Sequence, residues 1–431
     1  MAVNLRNFYS ACNPSKTLKI ENPEDRRYYI DFCSVRGSNI VRELERTITQ
    51  LLPDEATCQL FTGHIGCGKS TELLWLKANL EQQGFHVVYF ESSEYLDMAD
   101  VDITDILLAI AHQVSLSLKH IGIHLGSDYF TYLFQEIAAI LNTQINISGL
   151  DFAASIAKVT ARAKASPSLR NQLRQYLEPR TNGILEAING ELLHPAARAL
   201  KQRGQQGLVV IVDNLDRVDN SVKVSERTQP EYLFVDRGEQ LKQLNCHVVY
   251  TLPLALMFSN ELNSLTNRFG VDPKILPMVR VRSRHGEDCE LGITLLHQMV
   301  LARAFPDITP DLRVQLVTKI FDQVETLDRL CRVSGGHVRN LLVLLYRCLQ
   351  REDLPISRRC LESVIKQRQN ELLLAVTHDE WSLLNQVAQQ KNLRGEKRYQ
   401  TLLRSMFVFE YCNADDCWFD INPILAEAKE L

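Results

Sequence analysis

The stretch "FTGHIGCGKSTEL" constrains this chain more than any other. Gly63-x4-Gly68-Lys69-Ser70 follows the short apolar run "CQLF" and opens the helical pattern "KSTELLWLKANLEQQG", which stops at Gly84. Strand, glycine-rich loop and helix in that order build a phosphate-binding loop. The glycines let backbone N–H groups turn inward without Cβ clashes, and the helix start adds its positive dipole end. Gly63, His64, Ile65, Gly66, Cys67, Gly68, Lys69, Ser70 and Thr71 are therefore the candidate nucleotide-binding residues. Lys69 is expected to bridge the β- and γ-phosphates of ATP, Ser70 to ligate Mg2+ and Thr71 to meet the α-phosphate. The helix end and Lys69 could lower the Cys67 thiol pKa, but no resolving cysteine is evident. The preferred reading of Cys67 is a small residue at a variable position.

Such a loop needs a second carboxylate from another strand. In "GLVVIVDNLDRVD" (207–219), β-branched residues run into Asp213 as a buried strand would. Asp213 is expected on the Mg2+ side, at the strand end where doubly wound sheets bind ligands. The next residue is Asn214 rather than a glutamate, and the next acids are Asp216 and Asp219. Further strands are expected at 86–93, 246–253 and 275–281. Helices are expected at about 103–119, 127–141, 151–164, 168–178 and 180–203, and from 282 to about 375. "SNIVRELERTITQLL" is a further helix, with Ser38 available as its N-cap. "MFVFEYCNADDCWFDINPIL" has the look of a hairpin around the polar turn Asn413–Asp416.

At 431 residues the chain is too long for one ordinary core. No apolar run approaches the roughly 18 residues of a membrane helix, and "MAVNLRNFYSACNPSK" has no apolar signal core. The eleven cysteines are scattered, which suits reduced thiols in a cytoplasm better than a disulfide framework. Cys412 and Cys417 flank the polar turn without two further nearby ligands, so no structural zinc site is expected there. A net charge of −4 advertises no global field for nucleic acid or membrane.

The two motifs, with the strand at 86–93 between them in sequence, resemble the additional-strand class of P-loop ATPases. Asp213-Asn214-Leu215-Asp216 is similar to the pattern of the STAND and KAP-type members, where a second acid follows the first after a short gap. The resemblance implies that Asp216 positions the attacking water; its alternative role is to cap the following turn, and Asp219 is a second candidate. It also implies a polar sensor at Thr251 and an arginine at Arg268 that serves a neighbouring subunit's γ-phosphate. "SGGHVRNLLVLL" resembles the sensor-2 turn of origin-recognition and STAND-like AAA+ lids. Arg339 would then reach the γ-phosphate, with His337 as a contact residue. Val35-Arg36-Gly37 resembles, in altered order, a turn that packs on adenine. The final unit is similar to a winged helix.

The fold expected is an α/β P-loop core, a parallel sheet with flanking helices, plus a helical insert, a helical lid and a C-terminal winged-helix-like domain. The segments are 1–99 and 207–285 (core), 100–206 (insert), 286–370 (lid) and 371–431 (winged helix). Within 151–206 nine Lys/Arg face four Asp/Glu, a basic patch or a solvated helical face. Residues 371–431 hold six Lys/Arg and ten Asp/Glu, with 391–398 basic and the wing turn acidic. An acidic wing favours a protein contact, or homo-oligomerisation, over DNA. The function expected is a slowly hydrolysing ATP switch. The alternative is a DNA-associated ATPase of initiator or transposition-regulator type. A metabolic kinase is disfavoured because kinases rarely carry a lid followed by a wing.

Overall fold

The computed structural model describes residues 3–125, 128–140, 166–223 and 226–428. Five strands form one parallel sheet: β1 (Cys58–Gly63), β2 (His86–Glu91), β3 (Leu208–Asp213), β4 (His247–Thr251) and β5 (Lys274–Leu276), in the order β2-β3-β4-β1-β5. Every residue of β1, β3 and β4 is buried, as strands covered on both faces must be. The register sets Glu91 beside Asp213 and Phe61 beside Thr251. The strand lying between the two motif strands is thus β4. The strand at 86–91, which lies between them in sequence, sits at the sheet edge beyond β3.

The strand expected at 275–281 stops at Leu276. The reason lies in its donors. Met278 N–H goes to Glu410 O (2.9 Å), Val279 N–H to Gly336 O (3.3 Å) and Arg280 N–H to Val35 O (3.2 Å). Three successive residues bond three different segments, so no ladder forms. The helix expected after Ser38 is Ile40–Arg46 and starts one residue late: Asn39, not Ser38, accepts from Arg42 N (3.1 Å) and caps it.

In the insert, helices occupy Ile103–His120, Asp128–Ile140, Pro167–Leu177, Thr181–Ala187 and His194–Gln202. The helix expected at 151–164 lies outside the described residues. The basic reading of the insert is weakened where it can be seen. Arg170 pairs with Asp97 (2.6 Å), and Arg174 pairs with Asp100 (2.8 Å) and Asp102 (3.1 Å). Among the described residues no helix is long and apolar enough to cross a membrane.

After the sheet come the helices Glu290–Ala304, Val324–Val333, Val338–Leu349 and Arg358–Leu373. The last unit has helices His378–Gln390 and Lys397–Arg404, then the antiparallel strands β6 (Val408–Cys412) and β7 (Cys417–Ile421). Cys412 and Cys417 are direct cross-strand partners and form a disulfide, with Cα atoms 4.1 Å apart. This corrects the expectation of reduced thiols for that pair. The other nine cysteines are free. Phe409, Tyr411 and Trp418 of the hairpin pack into the same apolar cluster as the loop's own helix, through Leu73, Leu76 and Leu80.

Candidate functional site

The loop after β1 turns through Gly66 (φ +86°) and Gly68 (φ +112°) into the helix Lys69–Gln82. A Cβ on Gly66 would stand 2.9 Å from both Arg339 Cβ and His337 Nε2, so the 337–339 turn packs this closely because residue 66 is glycine. The loop borders a cleft of about 860 Å3. Ile65 to Thr71 line it, whereas Gly63 and His64 line a neighbouring cavity. Tyr28, Tyr29 and Phe32 of the lead-in, with Met299 and Leu342 of the lid, form the cleft's less polar end. A polar, N–H-rich end beside an aromatic one fits a nucleotide.

Lys69 is buried. Its Nζ donates to the carbonyls of Gly63 and His64 (2.8 Å each) and pairs with Asp216 Oδ2 at 2.9 Å. Burial alone would depress its pKa, but the Asp216 carboxylate outweighs that and holds it above the ordinary value. The second Asp216 oxygen, Oδ1, is buried with no hydrogen-bond partner among the described residues. Asp213 accepts from Tyr89 Oη (2.8 Å) and Asn214 N (2.6 Å), and the Ser70 hydroxyl also bonds it. Burial, then the Asp216 charge, push the Asp213 carboxyl above the usual range. The Ser70 hydroxyl and the Asp213 carboxylate are bonded side by side, one neutral and one anionic oxygen donor. Ser70 and Asp213 therefore fit Mg2+ in donor type and charge.

The lid touches the loop directly. Arg339 N donates to Gly66 O (3.2 Å), and His337 Nε2 donates to Ile65 O (2.8 Å) while its Nδ1 accepts from Asn340 N (3.0 Å). Burial drives the His337 pKa down to about 4, so the ring is neutral and carries its proton on Nε2. The Arg339 side chain lines the cleft. Burial, then the neighbouring Arg217 cation, lower its pKa, a mark of cations crowded where an anion would relieve them.

Thr251 does not line the cleft. Its Oγ1 accepts from Leu215 N (3.0 Å) and faces Val212 O (3.4 Å), so it braces the turn behind Asp213. Arg268 lines neither cavity; its Nη1 meets Asp236 O at 3.3 Å. Cys67 is fully buried with Sγ 3.7 Å from Leu276 O. Asp219 lines the neighbouring cavity.

Sequence reasoning missed three contributors. Tyr89, one strand away, holds Asp213. Arg36, read as part of an adenine-packing turn, lines the cleft, donates from Nη2 to Cys67 O (2.6 Å) and lies 3.7 Å from Glu72. Arg217, exposed, lines the cleft beside Asp216. The Asp-Arg pair at 216–217 was the available signal. The hairpin reaches the loop as well: Glu410 N–H donates to His64 Nε2 (3.0 Å), and Tyr411 Oη donates to Gly335 O (2.7 Å). His64 is the loop's outer wall, held by a strand partner, and its side chain does not face the cleft.

No protein-family model matches the chain, and no curated protein matches it. Among solved structures it is similar to a Walker-type ATPase of Pyrococcus abyssi, at 13% identity over 96% of this chain and 98% of that one, TM-score 0.43. It is also similar to the Aeropyrum pernix ORC2 protein in ADPNP–ADP complexes, at 11% identity over 93% and 95%, TM-score 0.38. A third is the Aeropyrum pernix ORC1 protein in complex with DNA, at 12% identity over 90% and 91%, TM-score 0.36. These likenesses are remote. The chain's own strand order, with β4 between the strands bearing the loop and Asp213, and the glycine-rich loop entering a helix make this a parallel α/β P-loop fold.

Proposed function

We propose that the protein is an ATP-driven switch that binds ATP, hydrolyses it slowly and changes its assembly state or partner with the nucleotide. The ion pair between Lys69 and Asp216 carries this reading. The lysine that should meet the β- and γ-phosphates is held by the acid that should position water. Incoming phosphate competes for Lys69, releasing Asp216 for its second task. Binding and hydrolytic competence are then two readings of one displacement. Mg2+, held by Ser70 and Asp213, would supply charge neutralisation on the phosphates. Arg339 links the γ-phosphate to the lid, and Arg268 is assigned to a neighbouring subunit's site. Size analysis with Mg-ATP, a non-hydrolysable analogue and ADP tests this. A nucleotide-dependent change in mass with slow turnover is expected; motor-like turnover at constant mass would sink it.

A DNA-associated ATPase is a second reading, favoured by one observation. Arg394, Lys397 and Arg398 are exposed at the start of the helix Lys397–Arg404, and wing residue Asp416 is engaged by Arg284. Salt-sensitive DNA binding that survives Lys69→Ala and is lost on neutralising 391–398 is its expected signature.

A further inference from the structure

The hairpin holds a chemical group that the nucleotide site does not use. Glu410 is fully buried, and its Oε2 has no hydrogen-bond partner among the described residues. A carboxyl left that way is costly unless its neutral form has a task. Its neighbours in reach are sulfurs: a Glu410 carboxyl oxygen and the Sγ atoms of Cys412 and Cys417 all lie within 4.8 Å of one another. Residues 410 and 412 share a strand face, and 417 is the cross-strand partner of 412. The two sulfurs differ in access. Cys417 is exposed at the hairpin end. Cys412 is half-buried against Gly37, where even an added Cβ would come within 3.1 Å of its Cβ.

We propose that Cys412, Cys417 and Glu410 form a thiol–disulfide exchange site that takes a small dithiol, with Glu410 as its proton donor. A thiolate of the dithiol attacks the exposed Cys417 Sγ. The Cys412–Cys417 bond breaks, and its electron pair leaves on Cys412 Sγ, which takes the Glu410 proton. The second thiolate of the dithiol attacks the mixed disulfide, expels Cys417 thiolate and closes the oxidised dithiol. Solvent takes the dithiol's two protons, protonates the Cys417 thiolate and reprotonates Glu410, so the protein pair ends with two electrons and two protons more and the dithiol with as many fewer. Burial pushes the Glu410 carboxyl up to about 8, close to an ordinary thiol, so the proton is present at neutral pH and transferable.

The test is the rate at which dithiothreitol releases two new thiols from the full-length folded protein. Cys412→Ser with Cys417→Ser should abolish that release. Glu410→Gln should slow it roughly tenfold or more, and Glu410→Asp should restore part of the rate. In guanidinium-unfolded chains the wild type and the Glu410 variants should react alike, which separates proton donation from any effect on folding. Equal folded-state rates for wild type and Glu410→Gln would overturn the proposal. So would a pair that stays as two thiols under excess oxidised glutathione, a stronger oxidant than cyclic dithiothreitol.

Discussion

Asn214 sits with φ +64°, in the left-handed region that asparagine tolerates better than glutamate. Its amide donates to Glu91 Oε2 at 2.6 Å, so a glutamate there would also face a like charge. The turn and the Glu91 contact both disfavour a glutamate at 214. Asn214→Glu should cost roughly 1–3 kcal/mol by chemical unfolding and yield no faster hydrolysis. Asp216→Asn should lower ATP turnover by tenfold or more, on the order of 1.4 kcal/mol. It should also tighten ATP binding, because Lys69 loses its competitor. Unchanged turnover would remove Asp216 from the water-positioning role. Both motif residues were legible because each motif is local: glycine spacing, one lysine, one aspartate ending an apolar run. Tyr89 and Arg36 were not, because each reaches the site through tertiary packing that no spacing records.

The lid meets the core through Gly335-Gly336-His337. Gly336 has φ +69°, and a Cβ there would lie 1.7 Å from Val279 O. Gly336→Ala should therefore destabilise by roughly 2–4 kcal/mol and weaken nucleotide binding with it, by calorimetry. His337 gives the lid a pH limit. Its folded pKa, about 4, lies below the unfolded value of 6.5, so its stabilisation is present above pH 6.5 and lost as pH falls through 4. Acid unfolding should therefore be shallower in His337→Gln across that window. The lid helices were readable from their apolar period, and the hairpin from its turn. The truncation of β5 was not, since "ILPMVRV" has a strand's composition, and its loss of a ladder depends on three partners far away in sequence.

At the scale of the molecule, the hairpin joins the phosphate loop, the lid turn and the sheet edge into one body. Glu410 makes that body alkali-sensitive. Its folded pKa of about 8 stands above the unfolded 4.5, so stabilisation is full below pH 4.5 and lost as pH rises through 8. Glu410→Gln should match wild type near pH 4.5 and exceed it by roughly 2–5 kcal/mol above pH 8 in thermal melts. Composition and length gave no sign that the C-terminal hairpin would brace the phosphate loop. The bond from Glu410 to His64 spans 346 residues. At roughly 5–20 residues per second of synthesis, the loop waits on the order of tens of seconds for its outer support. A half-made chain on the ribosome therefore carries the sequence of the phosphate loop without its finished wall until the hairpin has emerged.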